Sequence, residues 1–235
     1  MSTVRNVTEG RIAVGVTNDS NRRLLNDLFR EIDVVALGDS VPEETDLCIV
    51  DEQTLSGATA LLSTWQQEQH PAFAPILLLS GPDADDPWER YDEELNWLID
   101  SILTLPTKKA AIVNRVWKLL EMREISLDLA TEHKLIERVF ATSPLAKLVF
   151  DTESRLVRAN ERAAQLLGVP KEELQGTKVD ASLWRAIDED GNEIPFSELP
   201  YNRVLETGAP VYQYEHGFER PDQETIWLSV NMAPI

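Results

Sequence analysis

A doubly wound α/β sheet, then a connecting helix and a smaller α+β domain with an antiparallel sheet, is the fold class this sequence predicts. Three observations carry the prediction. Up to about residue 110 the apolar segments are short and continuous and alternate with stretches of helical spacing, as strands buried on both faces of a parallel sheet do. A helical pattern then runs from Thr107 to Phe140 without a Gly or Pro. Beyond Ser143 and Pro144 the strands turn to alternating apolar and polar residues, the mark of an antiparallel sheet with one buried face.

Residues 11–16 (RIAVGV) form the first strand, and Asn18, Asp19, Ser20 and Asn21 supply capping groups for a helix over 22–29. Residues 33–37 and 46–50 read as the next two strands, with a helix from about Gly57 to Glu68. Residues 74–79 form a fourth strand, closed by Ser80-Gly81-Pro82, and 102–105 a fifth. The helix from Thr107 to about Met122 is amphipathic, and its continuation places Met122, Ile125, Leu129, Ile136 and Val139 on a heptad interrupted at Glu132. Two copies could pair there, or the helix could pack on its own domains. Strands follow over 146–150, 155–159, 211–220 and 225–233, with a helix over 160–167 and a turn-rich stretch from Pro170 to Pro200. The expected division is a tail over 1–10, an α/β domain over 11–121, a helix over 122–140 and an α+β domain over 141–235.

Composition narrows the function. The net charge is -19, spread along the chain, and of the 22 bases fifteen are Arg and seven Lys. Distributed acids keep a surface hydrated in concentrated salt, so a halophilic origin is expected. No basic stripe offers itself to phosphates, which argues against direct nucleic-acid binding. Cys48 is the single cysteine and sits in an apolar run, so neither a disulfide framework nor a Cys metal site is expected, and a reducing cytoplasm fits. No apolar stretch approaches the ~20 residues of a membrane helix.

In a doubly wound sheet, chemistry sits at the carboxyl ends of the strands, here residues 17–19, Asp51, Ser80 and Leu105. At these positions the first half resembles a two-component receiver domain. Asp51 closes the third strand in DLCIVD, where that family carries its phosphoacceptor, and Ser80 falls where the family carries the Ser or Thr that reports phosphorylation. The resemblance implies a divalent cation such as Mg2+ only if the domain is active, since hard oxygen ligands must hold the ion that neutralises the phosphoryl group. The family's acidic pair is depleted: Val16, Thr17 and Asn18 occupy that corner and Asp19 comes late, so Asp19 and Asp51 make a weak metal site. Its Lys before the Pro is replaced by Leu105 before Pro106, with Lys108 and Lys109 already in the next helix. A degenerate receiver that docks partners is expected, with Asp51 as a turn or capping carboxylate, and phosphorylation of Asp51 as the alternative.

The run FATSPLAKLVFDTESRLVRANERAAQLLG over 140–168 resembles a PAS domain of the sensory-box type, and Lys171 to Gly176, Asp190-Gly191, Pro200, Glu206-Thr-Gly208 and WLSVNMAP over 227–234 continue the likeness. The resemblance implies that Asp151 turns the first hairpin, that Asn160 caps the first helix and that Gly168 ends it. It also implies a sensor that binds a ligand, which the sequence does not name, or dimerises. With Cys48 in the other domain, covalent flavin photochemistry is not expected. Haem would need an axial His; His216 could lie on either face of its strand, and an exposed position is the expectation. Trp184, Phe196, Tyr212, Tyr214, Phe218 and Trp227 are expected in core packing. The family pattern continues with a final strand past Pro234, so a fragment of a longer sensor is expected.

The order of the halves resembles the N-terminal part of haloarchaeal sensor proteins that continue into a histidine kinase or a transcriptional regulator. His133 lacks the residues that follow a phosphorylated His, and no Gly-x-Ser-x-Gly, paired-His or P-loop motif is present, so no enzyme activity is expected of this chain. A regulatory module in a two-component phosphorelay, with protein partners and a possible homodimer through residues 122–140, is the functional expectation.

Overall fold

The computed structural model describes residues 10–82, 88, 93–178, 185–220 and 224–235. Most of the expected tail, and Trp184, lie outside the described residues. The chain forms two compact units, Met1–Lys134 and Leu135–Ile235.

In the first unit, strand β1 (Arg11–Gly15), helix α1 (Asp19–Leu28), β2 (Asp33–Ala36), β3 (Leu47–Asp51), α2 (Glu52–Gln69), β4 (Ile76–Ser80), α3 (Glu93–Leu98), β5 (Ser101–Thr104) and α4 (Lys109–Ala141) follow in order. The five strands are all parallel, in the order β2-β1-β3-β4-β5. That is the flavodoxin-like, receiver-like order of a doubly wound sheet. Successive residues on each strand serve opposite faces. Ile12, Val14, Leu47, Ile49, Leu77 and Leu79 pack with Leu25 and Phe29 from the α1 side and with Ile112 and Val116 of α4. Ala13, Cys48, Val50, Ile76 and Leu78 pack with Leu55, Leu62 and Trp65 of α2 and with Leu98 of α3. Burial of both faces is why these strands read as continuous apolar runs.

Two local differences from the sequence expectation have clear causes. Helix α2 begins at Glu52 rather than near Gly57, because the Asp51 carboxylate caps it and the glycine lies inside the helix, where a single Gly is tolerated. Helix α3 is short, in a segment where the sequence offered no clear period.

Helix α4 continues for 33 residues, and the boundary between the two units falls inside it. Arg123 of α4 is buried in the first unit: it lies 3.6 Å from Asp46 and donates to the Phe73 carbonyl (2.8 Å) and Gln69 Oε1 (2.6 Å). One turn on, Ser126 Oγ accepts from the Phe73 N–H at 2.7 Å. Asp46 in turn accepts from the Arg11 N–H, so the charge cluster ties α4 to the amino ends of β1 and β3.

The second unit pairs β6 (Leu148–Phe150) with β7 (Leu156–Ala159), then adds α5 (Glu161–Leu167), α6 (Lys171–Leu174), β8 (Ala186–Ile187), a 3-10 turn at Phe196–Glu198 and α7 (Pro200–Thr207). The hairpin β9 (Val211–Glu219) and β10 (Thr225–Met232) completes an antiparallel sheet ordered β10-β9-β8. Asn160 is its polar hub. Buried, it caps α5 through Ala163 N–H (2.9 Å), accepts from Lys147 N–H, and donates Nδ2 to the Phe140 and Leu145 carbonyls. Gly168 closes α5 at a positive φ of 71°, a conformation costly for residues with a Cβ. The apolar core joins Leu156, Ala159, Ala163, Leu167, Leu174 and Phe218.

Candidate functional site

At the carboxyl ends of β3, β4 and β5 lies an open cleft of about 540 Å³, lined by Asn21, Asp51, Glu52, Ser80, Leu105, Pro106 and Thr107 among others. Asp51 and Ser80 both line it, and each is already hydrogen-bonded to protein groups. Asp51 Oδ1 accepts from the Thr54 N–H (2.9 Å), and Oδ2 accepts from both the N–H (2.6 Å) and the hydroxyl (2.5 Å) of Thr17. Ser80 is buried and donates to Glu52 Oε1 at 2.7 Å. Burial alone would raise the Asp51 pKa, yet the Thr17 and Thr54 donors outweigh it and hold the carboxyl below its ordinary 3.8.

Asp19 stands apart from this group and forms an ion pair with Arg22, whose guanidinium also reaches the Val16 carbonyl at 3.4 Å. Among the described residues no group of three or more His, Cys, Asp or Glu side chains is arranged to hold a metal ion. The residues present do not fit a hard divalent cation. Asp51 is met by N–H and O–H donors rather than by a second oxygen ligand, and the late acid is held by an arginine. Lys108 and Lys109 are solvent-facing at the start of α4, and Leu105 lines the cleft in place of a cation.

The second unit holds one polar side chain of a different kind. His216 lies opposite Leu228 in the β9–β10 ladder and shares its face with the core residue Phe218, two places on. It is buried, and its Nδ1 has no hydrogen-bond partner among the described residues. Burial depresses its pKa below the ordinary 6.5. The expectation of an exposed His216 is therefore corrected: strand alternation left the face open, and the ladder register fixes it inward. Expected core aromatics divide likewise. Phe218 is core and Phe196 and Tyr214 are half-buried, but Tyr212 and Trp227 are exposed on the hairpin.

Residues 140–235 match the family model described as "PAS fold". That half of the molecule is a PAS domain. Solved structures similar to parts of the chain include a response regulator receiver protein from Burkholderia phymatum, at 17% identity over 48% of this chain and 96% of that one, with a TM-score of 0.38. A PAS domain of an HTR-like protein from Haloarcula marismortui matches at 19% identity, covering 43% of this chain and 82% of that one, with a TM-score of 0.32. A response regulator from Thermotoga maritima matches at 14% identity over 48% of this chain and 98% of that one, with a TM-score of 0.36. No curated protein matches the chain.

Within the PAS domain, Asp151 turns the first hairpin by accepting from the N–H groups of Glu153 (2.9 Å) and Arg155 (2.8 Å), and Asn160 and Gly168 bound α5 as the motif implies. Sequence reasoning missed Glu52 and Thr54 near Asp51, and the Arg123–Asp46 pair. Only the cap spacing from Asp51 to Thr54 carried a local signal; the others meet across 28 residues or more. No described helix is long and apolar enough to cross a membrane.

Proposed function

We propose that this chain is a regulatory signalling module in which the PAS domain senses or dimerises and the receiver-like unit docks partners without accepting phosphate. The observation that carries this reading is the engagement of both Asp51 oxygens by Thr17 and Thr54. Aspartyl phosphorylation needs one carboxylate oxygen to attack and a cation to shield the incoming group, and both are opposed here. Supporting partners are proteins, including a second copy through residues 122–140. Placement ahead of a kinase or transcriptional output belongs to the same reading, and the net charge of -19 supports a protein made for concentrated salt.

Incubation with acetyl phosphate and Mg2+, followed by intact mass measurement, tests it. The expected result is no phosphate-sized gain. A gain that disappears in Asp51→Asn would establish the phosphoacceptor alternative instead.

A further inference from the structure

Helix α7 lies against both strands of the β9–β10 hairpin, with Pro200, Tyr201 and Val204 buried. Tyr214 of β9 links this helix to His216. The Arg203 guanidinium of α7 stands 5.1 Å from the centre of the Tyr214 ring, and the His216 ring stands 5.6 Å from the same centre at 53°. The arginine is attracted to the ring face. His216 is only 8% exposed, and among the described residues nothing hydrogen-bonds its Nδ1.

The elements around His216 offer a new charge no counterion. Its ladder partner is Leu228, and neither β10 (TIWLSVNM) nor β6 (LVF) carries a titratable side chain. Helix α5 turns Ala163, Ala164 and Leu167 inward and leaves Glu161 and Arg162 exposed, while Arg158 of β7 is held by Glu137. On the strand of His216 itself, alternation sends Glu215 and Glu219 to the opposite face, where Glu219 accepts from Arg185. From α7 come Tyr201, whose hydroxyl donates to the Asp151 carbonyl, the exposed Glu206, and Arg203, a cation.

We infer that His216 is an acid-operated latch, whose protonation releases α7 from the β9–β10 hairpin. A neutral imidazole is tolerated in this place. An imidazolium would need an acceptor for Nδ1–H and would set a second cation beside the ring that Arg203 already occupies. Separating α7 relieves both, because it opens the hairpin face to water and moves the guanidinium away. A short helix with an uncapped first turn and Gly208 at its end is the element that can leave without unravelling the sheet. The open form takes up the proton more readily than the closed one, so opening grows as pH falls below 6.5.

The inference rests on the PAS domain being the sensing unit and names the proton as its signal. Hydrogen exchange of the full chain at about pH 7.5 and about pH 5, on either side of the ordinary imidazole range, tests it, with circular dichroism as the folding control. After correction for intrinsic rates, exchange over Pro200–Thr207 is expected to rise roughly tenfold in the wild type at the lower pH. His216→Leu and His216→Gln are expected to abolish the rise; the chain's other two histidines, His70 and His133, titrate in both, so the difference belongs to His216. Arg203→Gln is expected to reduce it. A rise that persists in both His216 variants, no rise in the wild type, or one spread equally over α5, β9 and β10 would overturn the latch. A rise unchanged in Arg203→Gln would overturn the part given to the second cation. Exchange is read without partner or phosphate donor, so a flat profile would leave the docking role of the receiver-like unit standing and remove only the proton as signal.

Discussion

The receiver-like cleft and residue His216 of the PAS sheet hold their polar side chains in opposite ways. In the parallel sheet every polar residue at the sequence-predicted site has a protein partner: Asp51 has Thr17 and Thr54, Ser80 has Glu52, and Asp19 has Arg22. In the PAS sheet His216 is buried with Nδ1 unmatched among the described residues. A satisfied network resists change, because any new ligand must displace an existing hydrogen bond, whereas an unmatched buried group leaves an interaction to be gained. The contrast teaches that the residues at the receiver-like positions are already engaged, whereas His216 is the side chain with an interaction to gain.

The largest expected effect tests how strongly the parallel unit depends on its satisfied charges. Arg123→Ala leaves Asp46 buried without its cation and should cost about 3–5 kcal/mol, read as faster hydrogen exchange across Leu47–Asp51. A change near zero would mean that water replaces the guanidinium.

A smaller effect separates chemistry from capping at Asp51. Asp51→Ala removes the α2 cap and the Thr17 contact and should cost about 1–2 kcal/mol in urea unfolding, while Asp51→Asn keeps the Thr54 cap through its one amide oxygen but loses the acceptor for the Thr17 N–H and should cost about 1 kcal/mol. Because the folded carboxyl lies below 3.8, its contribution is present above that pH and is lost as pH falls through the folded value. The Ala variant should therefore lose part of this acid sensitivity.

His216→Leu probes the other side of the comparison. Replacing an unmatched polar group by an apolar one should stabilise the PAS domain by roughly 1 kcal/mol at neutral pH. A His with a depressed pKa costs stability as pH falls below 6.5, where the unfolded chain takes up the proton first. The variant should thus gain further at pH 5 in thermal unfolding. A loss of stability would instead mean that Nδ1 has a partner in solution, and would break the contrast.

The smallest effect concerns Asp100, whose carboxyl accepts from the Ile76 N–H at 2.8 Å and is pushed up to about 6 by burial, which that hydrogen bond partly offsets. Its ionisation disfavours the fold as pH rises from 3.8 through 6. Asp100→Asn should stabilise the protein at pH 7.5 and leave it unchanged at pH 3.5, by less than about 1 kcal/mol because the residue is partly solvent-screened.

Much of this molecule was legible before any coordinates. Continuous apolar strands spaced by helices determined the parallel sheet, since only burial on both faces permits such runs. The cap residues Asn18, Asp51 and Asn160, and Gly168 at a helix end, act through neighbours within four residues, so a local reading finds them or their role. The heptad from Met122 to Val139 is equally local. What only the tertiary structure decided are pairings between distant segments: Thr17 with Asp51, Glu52 with Ser80, and Arg123 with Asp46. The face of His216 belongs with them, because a period of two gives alternation but not its phase, and the phase is set by the register against β10 and by Phe218 in the core.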